Sequence, residues 1–273
     1  MKKNINNPLK TLKEKGWEIK SYSQADERLI SDHREIFKKI SASLVSFQIP
    51  EFEIMSEGGG KHPVNKRFSK LFNEFLDKEI KFQSKIVTTL EDETQVGSVN
   101  EALSHSVDFF HMGTKSNLGI EIEWNSKVLA FERDIMNFRR LFINSAIGLG
   151  IIITRGESLE KKVFKVAEKF FKSRISNRTW KQDLIEIRTE LEKYKDINDK
   201  PLKFKLFTER QLKEITKSIK LGTKPWKAVA VNYVREKYKG QTSHIDSLEE
   251  RIKRGGFQGV PLLCIGIPGG VVK

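Results

Sequence analysis

The sequence predicts an α/β fold: a mixed β-sheet flanked by helices, with a basic, mainly helical insertion. Three observations predict it. Two runs, Ser106–Phe110 and Gly119–Trp124, alternate apolar and polar residues with the period of two that a half-buried strand requires. A pattern of helical period from Lys127 to Ala146 follows them, and two nearly all-apolar runs, Gly148–Thr154 and Pro261–Ile267, read as buried strands. Between those two runs, residues 160–254 hold 26 Lys and Arg against 14 Asp and Glu, a net of +12 out of the chain's +14.

Taken in order, residues 1–50 read as helical. Ser23 to Glu27 offers helix-start chemistry, and Leu29, Ile30, Ile36, Ile40 and Leu44 follow with roughly helical spacing. Gly58, Gly59 and Gly60 mark a flexible break. Pro63 then opens an amphipathic helix with Phe68, Leu71, Phe72, Phe75 and Leu76 on one face. Lys81 to Thr89 reads as a strand, and Glu91 to Glu93 as a loop. The short Gly-, Ser- and Asn-rich segment Gly113 to Asn117 joins the two alternating runs as a hairpin. In the next helix Phe131, Ile135, Phe138, Leu141 and Phe142 form the apolar stripe, with Arg133, Arg139 and Arg140 on the other face. Trp180, Trp226 and Tyr233 serve as packing anchors of the basic segment. The alternation of helix and strand places the strands in one sheet with helices against it.

At 273 residues the chain is long enough for one large core, and a single domain over 1–273 is expected. The single cysteine, Cys264, excludes an intramolecular disulfide and a cysteine-based zinc site. The longest apolar run, Ala146 to Thr154, is too short to span a membrane, and the N-terminus has no signal-like pattern, so the expected location is the cytoplasm. The Gly-rich loop from Arg254 to Val260 lacks the Gly-Lys-Ser/Thr ending of a phosphate loop, and no helix follows it. Charge concentrated in one segment suits a polyanion. A lysine-favouring genome, a soluble basic surface or an anionic membrane would also give a basic chain, but no basic amphipathic helix with a Trp/Leu face supports the last.

The chemistry-bearing residues are three carboxylates: Asp108 in the first alternating run, Glu121 and Glu123 in the second. Glu121 and Glu123 share a strand face, and hairpin pairing brings Asp108 beside Glu121. Half-exposed strands often carry Glu for solvation alone. Here the flanking Val107, Phe109, Phe110, Ile120, Ile122 and Trp124 are apolar, and an acidic focus is unusual in so basic a chain. Convergent carboxylates need a cation or protons, and hard oxygen ligands suit Mg²⁺.

The run Val107-Asp108-Phe109, then Ile120-Glu121-Ile122-Glu123-Trp124-Asn125, then a helix with Phe131-Glu132-Arg133-Asp134, resembles the nuclease core of type II restriction endonucleases of the BglII, BstYI and BamHI group, within the PD-(D/E)XK nucleases. The Gly-rich turn before Val260 to Ile267 resembles the close of the same enzymes. The resemblance covers about 63–155 and 255–268 and leaves the insertion, about 158–254, and most of the N-terminal region uncovered. It implies a Mg²⁺-dependent, sequence-specific hydrolase of double-stranded DNA cutting at a short palindrome. It further implies a homodimer, a cognate methyltransferase encoded nearby and a bacterial or archaeal host. Asp108, Glu121 and the Ile122 carbonyl would hold the metal, and Glu123 would orient or deprotonate water. That third position is Lys in most related nucleases and Glu or Gln in the nearest set. Asn65, with Glu74 second, is the expected polar residue from the neighbouring helix. His105 is either a proton carrier or a loop histidine.

DNA contacts are expected from Lys127, Arg133, Lys161, Lys162, Arg251, Arg254 and Gln258, mostly to phosphates. His244 lies in the same Gln241 to Gln258 stretch as a candidate base reader. A repair or structure-specific nuclease of the same core, and a non-catalytic DNA-binding protein, remain as alternatives.

Overall fold

The computed structural model describes residues 7–57, 62–82, 85–89, 95–100, 105–205, 207–238, 242–255 and 259–273, and for 85–105 the backbone alone. The elements run α1 (Pro8–Glu14), β1 (Glu18–Tyr22), α2 (Ala25–Asp32), α3 (Arg34–Ser46), α4 (Glu51–Met55), α5 (Pro63–Phe72), β2 (Asp77–Phe82), β3 (Lys85–Thr89), β4 (Gln95–Asn100), β5 (His105–His111) and β6 (Leu118–Glu123). They continue with α6 (Leu129–Ile143), β7 (Leu149–Arg155), α7 (Glu157–Lys172), α8 (Trp180–Leu191), α9 (Glu209–Lys220), α10 (Pro225–Tyr238), α11 (Ile245–Arg254) and β8 (Leu262–Ile267).

Six strands form one mixed sheet in the order β1-β8-β7-β6-β5-β2. β6, β7 and β8 are parallel, and β1, β5 and β2 pair antiparallel to their neighbours. The apolar runs behave as expected: β7 and β8 are buried throughout, because helices cover both sheet faces. One core holds Ile120, Ile122, Ile151, Ile153, Leu263 and Ile265 with residues of α3, α5, α7 and α10. A smaller core on the other face joins Val107, Ile152, Leu262 and Cys264 to Phe131, Ile135 and Phe138 of α6 and to α11.

Several expectations are corrected. The N-terminal region is not wholly helical: β1 is a strand at the edge of the sheet, paired among the described residues with β8 alone. Its sequence, Glu-Ile-Lys-Ser-Tyr, is too polar to announce a strand without the neighbour that pairs with it. The helix expected after Ser23 is two, α2 and α3, divided at His33, and Gln24 at the start of α2 makes no side-chain cap. The single strand expected over Lys81–Thr89 is split: β2 belongs to the main sheet, while β3 pairs with β4 in a separate two-stranded ribbon. The expected loop Glu91–Glu93 and glycines 58–60 lie outside the described residues. The helix after Pro63 ends at Phe72, so Glu74 lies in the following turn, exposed, rather than on the helix. β6 is fully buried rather than half-buried, since α6 covers its second face.

α6 is seated on the sheet by two adjacent glycines. Gly119 of β6 and Gly150 of β7 are register partners. A Cβ on either would lie 2.9 or 2.8 Å from the Phe138 ring. The missing side chains let α6 approach closely, and Asp134 stands one turn before Phe138. Gly150→Ala is therefore expected to cost about 1–3 kcal/mol through overpacking, read by denaturant unfolding. Pairing it with Phe138→Leu should recover part of that loss. Unchanged stability in the single variant would show that α6 does not rest on this pair.

Candidate active site

The regular ladder between β5 and β6 runs from His111↔Leu118 to Phe109↔Ile120 and stops there. Beyond it, side chains replace backbone partners. The Ile122 amide donates to Asp108 Oδ2 at 2.9 Å, and the Asp108 amide donates to Glu121 Oε2 at 3.4 Å. β5 also loses its alternation at this point. Val107 and Phe109, two apart, join opposite cores, and Phe110 joins that of Val107. Across on β2, Glu79 has φ +53°, and the pairing register passes over it. Asp108 thus sits where one strand peels from the next. The expected juxtaposition of Asp108 with Glu121 is present.

Glu121 and Glu123 follow Gly119 on the α6 face of β6 and are 4% and 5% exposed. Asp134 of α6, 2% exposed, faces them. Arg133 joins the group: its Nε and Nη2 donate to Asp134 Oδ1 at 2.9 and 2.8 Å, and Nη2 also donates to Glu123 Oε1 at 3.4 Å. The rest of the Arg133 side chain is solvent-exposed.

Burial, then the neighbouring carboxylates Asp134, Asp108 and Glu123, push the Glu121 carboxyl well above its ordinary range. Burial, then Asp134, raises Glu123 to about 8, against the opposing pull of Arg133. Burial also raises Asp134, although Glu123 and Arg133 hold it down. Partial burial opposes the charge on Arg133, but the facing carboxylates outweigh it and raise its pKa.

Asn65 on α5 lines a small cleft with Ser69, Lys78, Asp108, Phe109 and Ile122, so the helix-borne residue expected beside the acids stands next to Asp108. α5 is fixed to α4 by a bidentate Arg67–Glu53 pair at 2.6 and 2.7 Å. The end of β6 is braced by β7 and by the insertion: Thr154 Oγ1 and Ser243 Oγ donate to the Glu123 carbonyl at 2.7 and 3.2 Å. Ser243 is in turn held by the fully buried Arg155, whose Nε and Nη2 donate to its carbonyl at 3.0 and 2.8 Å.

Of the expected DNA contacts, Lys127 is exposed just beyond β6 and bridges to Thr242. Arg251 is ion-paired with Glu132, beside Arg133. Lys161 pairs with Glu157 on the exposed face of α7, with Lys162 next to it, and Arg254 pairs with Glu250. None of these last three touches the acids. Gln258 lies outside the described residues, as does the His105 side chain. His244 caps α11, its Nδ1 accepting from the Ser247 amide, which gives this side chain a structural task. Asp134 was not anticipated as part of the site. Its signal was present: with Phe131, Ile135 and Phe138 it occupies inward helical positions, where an acid is out of place.

Among the described residues no three His, Cys, Asp or Glu side chains stand close enough to share one ion; Asp108 and Glu121 each commit an oxygen to a backbone amide. The donor chemistry nonetheless fits a hard divalent cation. Among the described residues Glu123 Oε2 and Asp134 Oδ2 are buried without a hydrogen-bond partner, and so is Asn65 Oδ1. Carboxylates whose ionisation is opposed by burial and mutual repulsion gain most from a cation.

A family model described as restriction endonuclease BglII/BglIII matches residues 17–267, a span that takes in all six strands of the main sheet and runs through the basic segment. No curated protein matches the chain.

The site predicts a pH dependence of stability. A carboxyl with a folded pKa near 8 and an unfolded pKa near 4.5 binds more protons in the folded state. Its stabilisation is full below pH 4.5 and is lost as pH rises to about 8. With chelator present, the melting temperature of wild type relative to Glu123→Gln should fall across that window, and Mg²⁺ should restore it most at the alkaline end. Parallel curves for the two proteins would remove Glu123 from the shared charge.

Proposed function

The chain belongs to the restriction endonuclease BglII/BglIII family, which makes it a type II site-specific deoxyribonuclease, and we propose that it cuts both strands of a short palindrome in Mg²⁺. The observation that supports the residue assignment is the broken β5/β6 ladder, which brings Asp108 beside Glu121, with Glu123 two residues further along the same face of β6. Asp108, Glu121 and the Ile122 carbonyl are the groups that would hold the ion, the first two releasing their backbone amides to do so. Bound there, the ion neutralises charge building on the phosphate and lowers the pKa of water.

The chain's own groups supply the rest. Glu123 accepts the proton of the attacking water, whose oxygen bonds to phosphorus as the bond to the 3′ oxygen breaks; solvent returns a proton to the leaving oxygen. Asp134 and Arg133 keep the Glu123 carboxylate turned toward the site. Asn65 offers a polar contact from α5 beside Asp108. Arg133, Lys127 and Arg251 lie on the side of α6 nearest the acids and are proposed phosphate contacts, with Lys161, Lys162, Arg254 and Gln258 as outlying ones. The nuclease core, about 63–155 with 255–268, and the insertion, about 158–254, form one proposed domain, since Ser243 and Arg155 bind the two together.

A palindrome is most simply read by a two-fold dimer. Leu129, Met136 and Ile143, seven residues apart on α6, are 61%, 56% and 68% exposed. Met136 and Ile143 line an open groove with Arg139 and Arg140, and Leu129 continues the stripe one heptad before it. Such a heptad-spaced stripe fits the matching helix of a second copy. A companion methyltransferase would protect the host's own copies of the site.

With plasmid and Mg²⁺, wild type should give discrete fragments. Asp108→Asn and Glu121→Gln should abolish cutting while DNA binding survives or tightens, because a carboxylate facing the phosphate is neutralised. Near-wild-type cutting by either would displace the proposed site. Glu123→Ala should lose activity by about 10²–10⁴-fold, as for a general base. Sedimentation should give twice the 31.5 kDa chain mass, free or on specific DNA. Smeared or merely nicked plasmid from a monomer would favour a repair nuclease.

A further inference from the structure

The basic excess of the insertion is not all directed at the acids. α9 turns Leu212, Ile215 and Ile219 inward against the core. Its Lys213, Lys217 and Lys220 are exposed at positions i, i+4 and i+7, one face of a helix. Together with Lys181 at the start of α8, and with Leu212 and Thr216, they line an open groove of about 590 Å³. Glu209 is the one carboxylate among the lining residues.

The neighbouring charges are already matched: Glu214 of α9 is taken by Arg210 and Arg235. Among the described residues none of the four groove lysines has an ion-pair partner, and Lys181 rests only over the ring of Trp180, at 5.6 Å. Four unneutralised ammonium groups around one groove raise each other's cost unless an anion lies among them.

The groove is remote from the acids. Tyr238, the last residue of α10, meets Arg155 at the end of β7 beside Glu123. From there α10 runs back over 14 residues, about 21 Å. α9 lies antiparallel on it, because Gln211 bonds Glu236 and Glu214 pairs with Arg235. Lys217 and Lys220 therefore lie one to two turns further from the acids. α9 packs on α10, and α10 on α7, so α9 stands up to two helix spacings, on the order of 20 Å, from α7. Contacts made in this groove are therefore distinct from those made at the catalytic end.

We propose that the lysine groove between α8 and α9 binds the phosphate backbone of a second DNA duplex, separate from the one being cut. The inference rests on the reading of duplex DNA as the substrate. Lysine is a point-charge phosphate ligand that carries no base reading, so the second duplex is held without regard to sequence. The open groove matches a continuous line of phosphates better than a small enclosed anion. An enzyme holding one segment while searching another exchanges between them without passing through free solution.

The test compares wild type with the triple variant Lys213→Gln, Lys217→Gln and Lys220→Gln, all exposed positions whose replacement leaves the core intact. Titration with a short duplex of arbitrary sequence, followed by sedimentation and calorimetry, should show two binding classes in wild type and one in the variant. The log–log salt slope of the lost class should account for about three phosphate contacts, one per lysine. Cutting of a short duplex carrying the target site should be unchanged. A single class in both proteins, equal stoichiometry in both, or a wild-type preference for anionic vesicles over duplex would overturn the proposal. Failure of both proteins to cut plasmid would instead strike the catalytic reading, while the stoichiometry would still decide the groove.

Discussion

The structure is organised around the burial of like charges. Glu121, Glu123 and Asp134 share a space between β6 and α6 almost closed to water, with Asp108 at its edge. Several carboxylates cannot all ionise there without compensation. Arg133 supplies one positive charge, and the raised pKa values of Glu121, Glu123 and Asp134 show that it is not enough. The remaining demand is for protons or a cation. A divalent ion, as proposed above, would meet that demand with hard oxygen ligands.

Holding such a cluster in place requires rigid walls, and the insertion supplies bracing on both sides. Arg155 is wholly buried and donates to the carbonyls of Ser243 and Tyr238 and to Thr242 Oγ1, while Glu160 offsets its charge at 2.7 Å. Through Ser243 it fixes the backbone of Glu123. On the other wall, the half-buried Lys237 donates to the carbonyls of Ile54 and Ser56, Tyr233 donates to that of Met55 at 2.8 Å, and Tyr238 to that of Ile54 at 2.5 Å. These contacts anchor the chain leading into α5, which carries Asn65. Burial lowers Lys237 to about 7, which is the cost of placing an ammonium where three oxygens need a donor. Tyr233, Lys237 and Tyr238, with Thr242 and Ser243, thus connect both sides of the cleft. The segment that brings most of the positive charge also sets the position of the acids.

Charge is therefore used in two ways in one chain. In the interior, single cations are matched to specific oxygens: Arg155 to Glu160, Arg133 to Asp134, Arg67 to Glu53. On α9, Lys213, Lys217 and Lys220 stand at helical spacing with no ion-pair partner among the described residues, and such charges act through their summed field, which salt screens. The first kind fixes geometry, and the second attracts a polyanion.

The acids and their hairpin were legible in the sequence because they depend on local periodicity: alternation places Glu121 and Glu123 on one face, and a short polar loop returns the chain to Asp108. The α6 stripe and the buried strands β7 and β8 were legible for the same reason. What the sequence left open depends on neighbours distant along the chain. β1 is a strand only because β8 offers an edge, and β2 parts from β3 because they pair with different partners. Asp134 joins the site only because Gly119 and Gly150 let Phe138 settle against the sheet. Arg155 is one arginine among many until Ser243, some ninety residues on, takes its hydrogen bonds. Periodicity decides which face a residue occupies; only tertiary packing decides what faces it, and in a buried cluster of charges that second decision sets the chemistry.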